Sequence, residues 1–324
     1  MRWWNGWMAS AAIGSVLIAG NVAAQPTWPV RPLRIIVMAA PGGLPDIAAR
    51  TIATHLAKPL GQPVVVENRA GGAGNIAAEH VAKSVPDGYT LLLSGNNLAI
   101  NRTLLPNPGF DYERDLAPVT MVGEANMVLI ASPSFAANNV SELLALARAK
   151  PGGVSIATSP LGTPNHIGAE LLAAMGGLEL SFITYKGIGP ALPDLMAGQV
   201  QLAVSSIAAA LPLVKAGRLK ALAVTQPKRS SLLPDVPTVA ESGLPGFDVY
   251  AWVCLMATGG TPAPVIERLN AEVRAIMALA EVRDAFQKQG TEPATTTPAQ
   301  LGAYIRAEAE KWAGILKSSK VKGG

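Results

Sequence analysis

The chain has 324 residues, 49% of them hydrophobic and 15% charged, with a formal net charge of +4 and one cysteine. That much apolar material fills one large or two medium cores, and two domains is the better expectation. The lone Cys254, inside the apolar run YAWVCLMA, excludes a disulfide framework and reads as a small buried hydrophobe. Scattered Lys and Arg, never interleaved with aromatics, exclude a nucleic-acid surface, while the mild positive balance slightly favours an anionic small ligand.

Residues 1–24 carry a single charge, Arg2, then an apolar run over about residues 8–19, then Val22-Ala23-Ala24. This is the pattern of a secretory signal peptide cut after Ala24. The run is too short for a membrane anchor, which needs about 20 apolar residues, and Asn5, Gly14 and Gly20 break it. No cysteine near the cut allows lipid attachment. The mature chain is therefore expected to be exported and free, in a periplasm or outside the cell.

The mature chain opens with a strand at Ile35-Ile36-Val37, a turn at Pro41-Gly42-Gly43, and a helix with Ile52, Leu56 and Leu60 four apart. Paired glycines let backbone N–H groups approach a ligand, and a helix start leaves its first N–H groups without partners, which suits a carboxylate. The same glycines also serve a plain strand-to-helix turn. Residues 63–67 read as a strand, 75–83 as a helix, and 89–94 as a strand ending in Gly95-Asn96-Asn97. Such units predict a parallel sheet with helices on both faces, its ligand beyond the carboxyl ends of the strands. The loops after Val37, Glu67 and Leu93 then share one edge.

Residues 107–135 change character: a proline-rich piece leads into VTMVGEANMVLIASP, which Gly123-Glu124 interrupts too much for one ordinary strand. It reads as passage into a second α/β domain, beginning with a helix whose Asn139 and Glu142 have capping-box spacing. Strands follow at 153–159, 180–187, 199–206 and 219–225, with helices between, one of them carrying Pro164 at its first position. The chain returns over residues 225–257 and ends in two helices, about 263–279 and 298–316, the second capped by Thr297 and Gln300. Leu301, Ile305, Ala309 and Trp312 on one face are expected in the core. The expected division is a first domain of 25–125 with 225–324 and an inserted domain of 126–224, joined by two crossings that allow a hinge.

Signals for catalysis are poor. Residues 72–77 match G-x-G-x-x-A after a strand, but no acid follows about 20 positions on for a ribose hydroxyl, and an exported protein meets little NAD. No phosphate-binding loop or G-x-S-x-G elbow occurs, and His55, His80 and His166 lack a second ligand at metal spacing. No cofactor or metal is expected, and the protein is not read as an enzyme. An exported hydrolase, the rival, needs a nucleophile and base that the sequence does not offer. What recurs is a strand end, a Gly/Ser/Thr/Asn turn and a helix start, at residues 41–43, 94–96, 159–163, 187–190 and 205–206. Two facing domains with such turns make a cleft of N–H and hydroxyl donors, which suits a carboxylate.

The motifs APGGLPD (residues 40–46), LGQPVVVENRAGGAGNIAAEHVAKSVPDGYTLL (60–92), TSPLGTPNH (158–166), YKG (185–187), KAGRLKALAVT, LPDVPTVAESGLPGF and ATGGTPAPVIERLNAEV, in this order, resemble those of the Bug, or TctC-like, extracytoplasmic solute receptors of tripartite tricarboxylate transporters. The resemblance implies a type II periplasmic-binding-protein fold closing on a small carboxylate. The first-domain contacts it implies are Gly42, Gly43, Asp46, Ser94, Gly95, Asn96 and Asn97. Those of the second domain are Ser159, Gly162, Thr163, His166, Tyr185, Lys186, Gly187 and Ser205. For Asp46 the alternative is a helix-start residue that caps N–H groups without touching ligand. The resemblance implies a periplasmic receptor partnered by a membrane permease; a sensor subunit that passes ligand occupancy to a membrane kinase is the alternative, and a monomer is expected.

Two departures from the family pattern stand out. Leu44-Pro45 replace a polar Gly or Thr before Asp46, and Ser205-Ser206 stand where many members carry an acid after the strand. Without that acid to pair with an ammonium group, a ligand lacking a cationic group is expected, such as a di- or aromatic carboxylate.

Overall fold

The computed structural model describes residues 28–42, 44–105, 107–288 and 290–318; the signal-peptide expectation for 1–24, and Gly43, lie outside them. In chain order come β1 (Leu33–Val37), α1 (Leu44–Leu60), β2 (Val64–Asn68), a 3-10 turn (Gly72–Gly74), α2 (Asn75–Ala82), β3 (Thr90–Gly95), α3 (Asn97–Leu104) and β4 (Leu116–Ala125). Then follow β5 (Met127–Ala131), α4 (Val140–Ala149), β6 (Val154–Thr158), α5 (Pro164–Gly176), β7 (Leu180–Thr184), α6 (Ile188–Met196), β8 (Leu202–Ser206), α7 (Ile207–Lys215) and β9 (Lys220–Val224). The last are β10 (Ala251–Thr258), α8 (Ala263–Ala278), α9 (Ala280–Lys288), β11 (Thr291–Pro293) and α10 (Pro298–Ser318).

The strands form two sheets, ordered β11-β4-β10-β3-β1-β2 and β7-β6-β8-β5-β9. The expectation of a parallel sheet is corrected. β1, β2 and β3 are parallel, but β10 runs antiparallel to both β3 and β4. The reason is where the chain crosses. β4 leaves the first sheet at Ala125 and β10 enters it at Ala251, which pair with each other, so the two strands must run in opposite directions. In the second sheet β6, β7 and β8 are parallel, and β5 enters antiparallel with Met127 opposite Ser206. Both sets of parallel strands therefore end at the crossings, and their C-terminal loops meet there.

Gly123-Glu124 does not interrupt a strand. β4 runs through it, Gly123 pairing with Val253 and Pro293, and the break falls at Asn126. A Cβ at Gly123 would lie 3.0 Å from the Phe286 ring, so the glycine makes room for α9 rather than ending β4. α9 and β11 escaped sequence analysis because α9 buries only Val282 and Phe286, too sparse a stripe to mark a separate helix.

One apolar core packs α1 and α8 on the first sheet, and a second packs α6 and α7 on the other. A third runs through both sheets beneath the crossings and takes in Trp252 and Trp312, each 1% exposed. Leu301, Ile305 and Trp312 of α10 belong to it as the spacing predicted, with Ala309 half-buried against them. Truncating so fully buried a tryptophan costs about 3–5 kcal/mol. Cys254 is fully buried, and burial pushes its thiol pKa up. Among the described residues no helix is long and apolar enough to cross a membrane.

Candidate functional site

Each parallel strand is followed by a helix that starts at the shared edge. Six of these starts line one cavity of about 860 Å³. From the first sheet come Gly42, Leu44 and Pro45 at α1, Gly74 at α2, and Asn96 and Asn97 at α3. From the second come Thr163, Pro164 and Asn165 at α5, Ile188 at α6, and Ser206, Ala208 and Ala209 at α7. The starts of α2, α3 and α6 carry no side-chain cap, which leaves their first N–H groups for a ligand. The Thr163 hydroxyl accepts from the His166 N–H at 3.4 Å, and the Ser206 hydroxyl from the Ala209 N–H at the same distance. Among the described lining residues no side chain is acidic and only Lys288 is charged. The formal side-chain charge of the described lining is therefore positive, and an anion at a helix start gains about 0.3–2 kcal/mol.

Of the expected contacts, Gly42, Asn96, Asn97, Gly162 and Thr163 reach the wall of this cavity. Asn96 is spent on structure: its amide donates to the Tyr250 carbonyl and accepts from the Trp252 N–H, both at 3.0 Å, tying α3 to the returning strand. Asn97 donates to the Ala73 carbonyl, and its buried Oδ1 has no protein partner.

Asp46 lies beneath the wall, 3% exposed. Its carboxylate accepts from the Gly42 N–H (2.9 Å), the Asn68 amide (2.9 Å) and the Arg50 guanidinium (3.1 Å). Burial alone would push its pKa up, but the Arg50, Gly42 and Asn68 hydrogen bonds outweigh that and hold it below the usual carboxylate range. The capping alternative describes it, with Asp46 fixing the glycine turn from behind.

The remaining expected contacts fall outside the lining. Ser94 is buried against Met38, and Gly95 is pressed to β10, where a Cβ would stand 2.2 Å from the Trp252 carbonyl. Ser159 is buried, bonded to Thr163 (2.8 Å) and Asn165 (3.1 Å). His166 is 7% exposed, with Nε2 3.6 Å from Glu170; burial lowers the His166 pKa to about 4 and raises that of Glu170 to about 7. Tyr185 donates to Asp194 at 2.8 Å, Lys186 is exposed, and neither they nor Gly187 line the cavity. Ser205 is fully buried and Ser206 takes its place, because alternate strand residues face opposite sides and the last one caps the helix.

Three lining features were missed. Asn165 donates to the Val204 carbonyl at 2.7 Å and bridges α5 to β8. The glycine run Gly71 to Gly74 forms wall, not a nucleotide turn. Gly74 has φ +92°, and a Cβ there would stand 2.1 Å from the Asn97 amide nitrogen that reaches Ala73. Lys288 sits on α9, a helix that was not foreseen. Leu44-Pro45, the departure noted in the sequence, does lie on the wall.

A family model described as tripartite tricarboxylate transporter family receptor matches residues 48–321. The chain is 38% identical over 317 residues to protein BugT of Bordetella pertussis, covering 96% of this chain and 97% of that one. Its fold is similar to that of the R. palustris protein Rpa4515 solved with adipate, with a TM-score of 0.79 and 34% identity over 90% of this chain and 98% of that one. It is likewise similar to MatC from Rhodopseudomonas palustris solved with bound malate, with a TM-score of 0.76 and 31% identity over 89% of this chain and the whole of that one. The two-sheet α/β architecture is thus that of a known group of solute-binding proteins, and the chain belongs to the tripartite tricarboxylate transporter receptor family.

Proposed function

We propose that this protein is an exported receptor that captures a small carboxylate in the cavity between its two sheets and presents it to a tripartite tricarboxylate-type permease. The observation that carries the reading is the convergence of six helix starts on one cavity whose described lining holds no acidic side chain. Such a site favours carboxylates over neutral solutes and has nothing to pair with an ammonium group. Two similar proteins have adipate and malate in their structures. The proposed units are residues 25–125 with 225–324, and 126–224, closing about the crossings at Asn126 and after Val224. Binding is reversible and without turnover, in the periplasm.

Thermal unfolding of the exported chain with small carboxylates, their amides and amino acids at about 1 mM tests this. A ligand with Kd near 1 μM stabilises by about 4 kcal/mol, or roughly 8 °C for a chain of this size. Shifts from carboxylates but not amides are expected. Equal shifts from amides, or tight binding of aspartate with none of succinate, would overturn it.

A further inference from the structure

Lys288 is the one charged side chain among the described lining residues, and the anion site built from helix starts does not use it. It is exposed in the last turn of α9 and forms no ion pair among the described residues. The chain around it is held firmly to the cavity. Gly290, at φ +65°, lies so close to α7 that an added Cβ would come within 2.5 Å of the Ala208 Cβ. Thr291 then pairs with Ala125 at the end of β4, and both Ala208 and Thr291 line the cavity. Gly290 and Thr291 thus sit between a crossing and a helix start of the other sheet, and Lys288, at the end of α9, lines the same space. Much of the remaining wall, including Met38, Met127 and Ile188, is apolar and gives a second anionic group no other charged partner.

We propose that Lys288 is a specificity-determining residue that pairs with the second carboxylate of a dicarboxylate whose first carboxylate rests on the helix N-termini. The inference rests on the carboxylate reading above and names its ligand class, a diacid with an apolar spacer. A lysine that only complements the C-terminal dipole of α9 would alter stability, with no dependence on ligand charge.

The test is calorimetric titration of the wild-type chain, Lys288→Gln and Lys288→Arg with two matched pairs, adipate against hexanoate and terephthalate against benzoate. In at least one pair the wild type prefers the diacid. Lys288→Gln weakens that diacid roughly fivefold or more at low salt, leaves the monoacid unchanged, and Lys288→Arg keeps the preference. The loss shrinks in 0.5 M salt, since an exposed pair is screened. Equal binding of diacid and monoacid by the wild type, or a diacid preference that survives Lys288→Gln, overturns the pairing while the carboxylate site stands. Binding of none of the four overturns the pairing with an apolar-spaced diacid, and the carboxylate reading falls with it only if the thermal-shift panel above also finds no carboxylate that binds.

Discussion

Replacing Asp46 separates a residue that shapes the site from one that touches the ligand. Asp46→Ala strips the Gly42 N–H, the Asn68 amide and the Arg50 guanidinium of a shared acceptor. Hydrogen bonds to a charged group contribute about 1.5–3 kcal/mol each, but the exposed Gly42 and the Arg50 side chain, 54% exposed, regain water. The half-buried Asn68 amide keeps its bond to the Ala39 carbonyl and loses one acceptor, so the net cost is about 1–2 kcal/mol, or roughly 2–6 °C in Tm. Carboxylate affinity should fall as well, because the glycine turn loosens. Removing an acid that faced the anion would instead raise affinity by Coulomb's law, so the sign of the change decides between the two roles. The pH dependence follows from the lowered pKa. The unfolded value is about 3.9, so the stabilisation is complete above it and disappears as pH falls through the folded value. Scanning calorimetry of the wild type and Asp46→Asn between pH 2 and pH 7 should show a Tm gap that is constant above about pH 4 and narrows as the pH falls below it. A gap that does not narrow in acid, or Asp46→Ala binding carboxylates more tightly than wild type, would refute the reasoning.

Two further substitutions probe the second sheet. Glu170, its pKa raised to about 7 by burial, contributes stability that is complete below the unfolded value of about 4.3 and is lost as pH rises through about 7; Glu170→Gln should gain Tm over wild type progressively from pH 4 to pH 8, and a gap independent of pH would contradict this. Thr163→Val removes the cap on the His166 N–H and the bonds to Ser159 and Pro160, so a loss of about 1 kcal/mol in urea unfolding and weaker carboxylate binding are expected; unchanged affinity would show that α5 takes no part in the site.

The fold was legible where local chemistry decides it. Thr297 and Gln300 form the reciprocal hydrogen bonds their spacing predicts, and Asn139 accepts from the Glu142 N–H as its spacing predicts, although the Glu142 carboxylate reaches back to the Asn138 N–H and the Asn139 amide instead of the Asn139 N–H. Strand direction was not legible, because the alternation of strand and helix says nothing of a strand that returns from another sheet, and β10 reversed the expectation of a parallel one. The turns of the site were found, but not which of their residues face inward. Ser205 and Ser206 look alike in sequence, and a shift of one residue along β8 separates a buried hydroxyl from a helix cap. Asp46 shows the same difficulty, since a carboxylate at a helix start serves the turn or the ligand with equal chemistry. Lys288 had no sequence signal, because its place on the wall depends on Gly290 meeting Ala208 far along the chain.

The central claim is that a carboxylate is held by helix N-termini inside the cavity between the sheets. A crystal structure of the exported chain with whichever carboxylate gives the largest thermal shift tests it most directly. The account predicts carboxylate oxygens about 2.7–3.2 Å from backbone N–H groups at the starts of helices from both sheets. A ligand bound outside the cavity, or one whose carboxylates point away from every helix start, would contradict it.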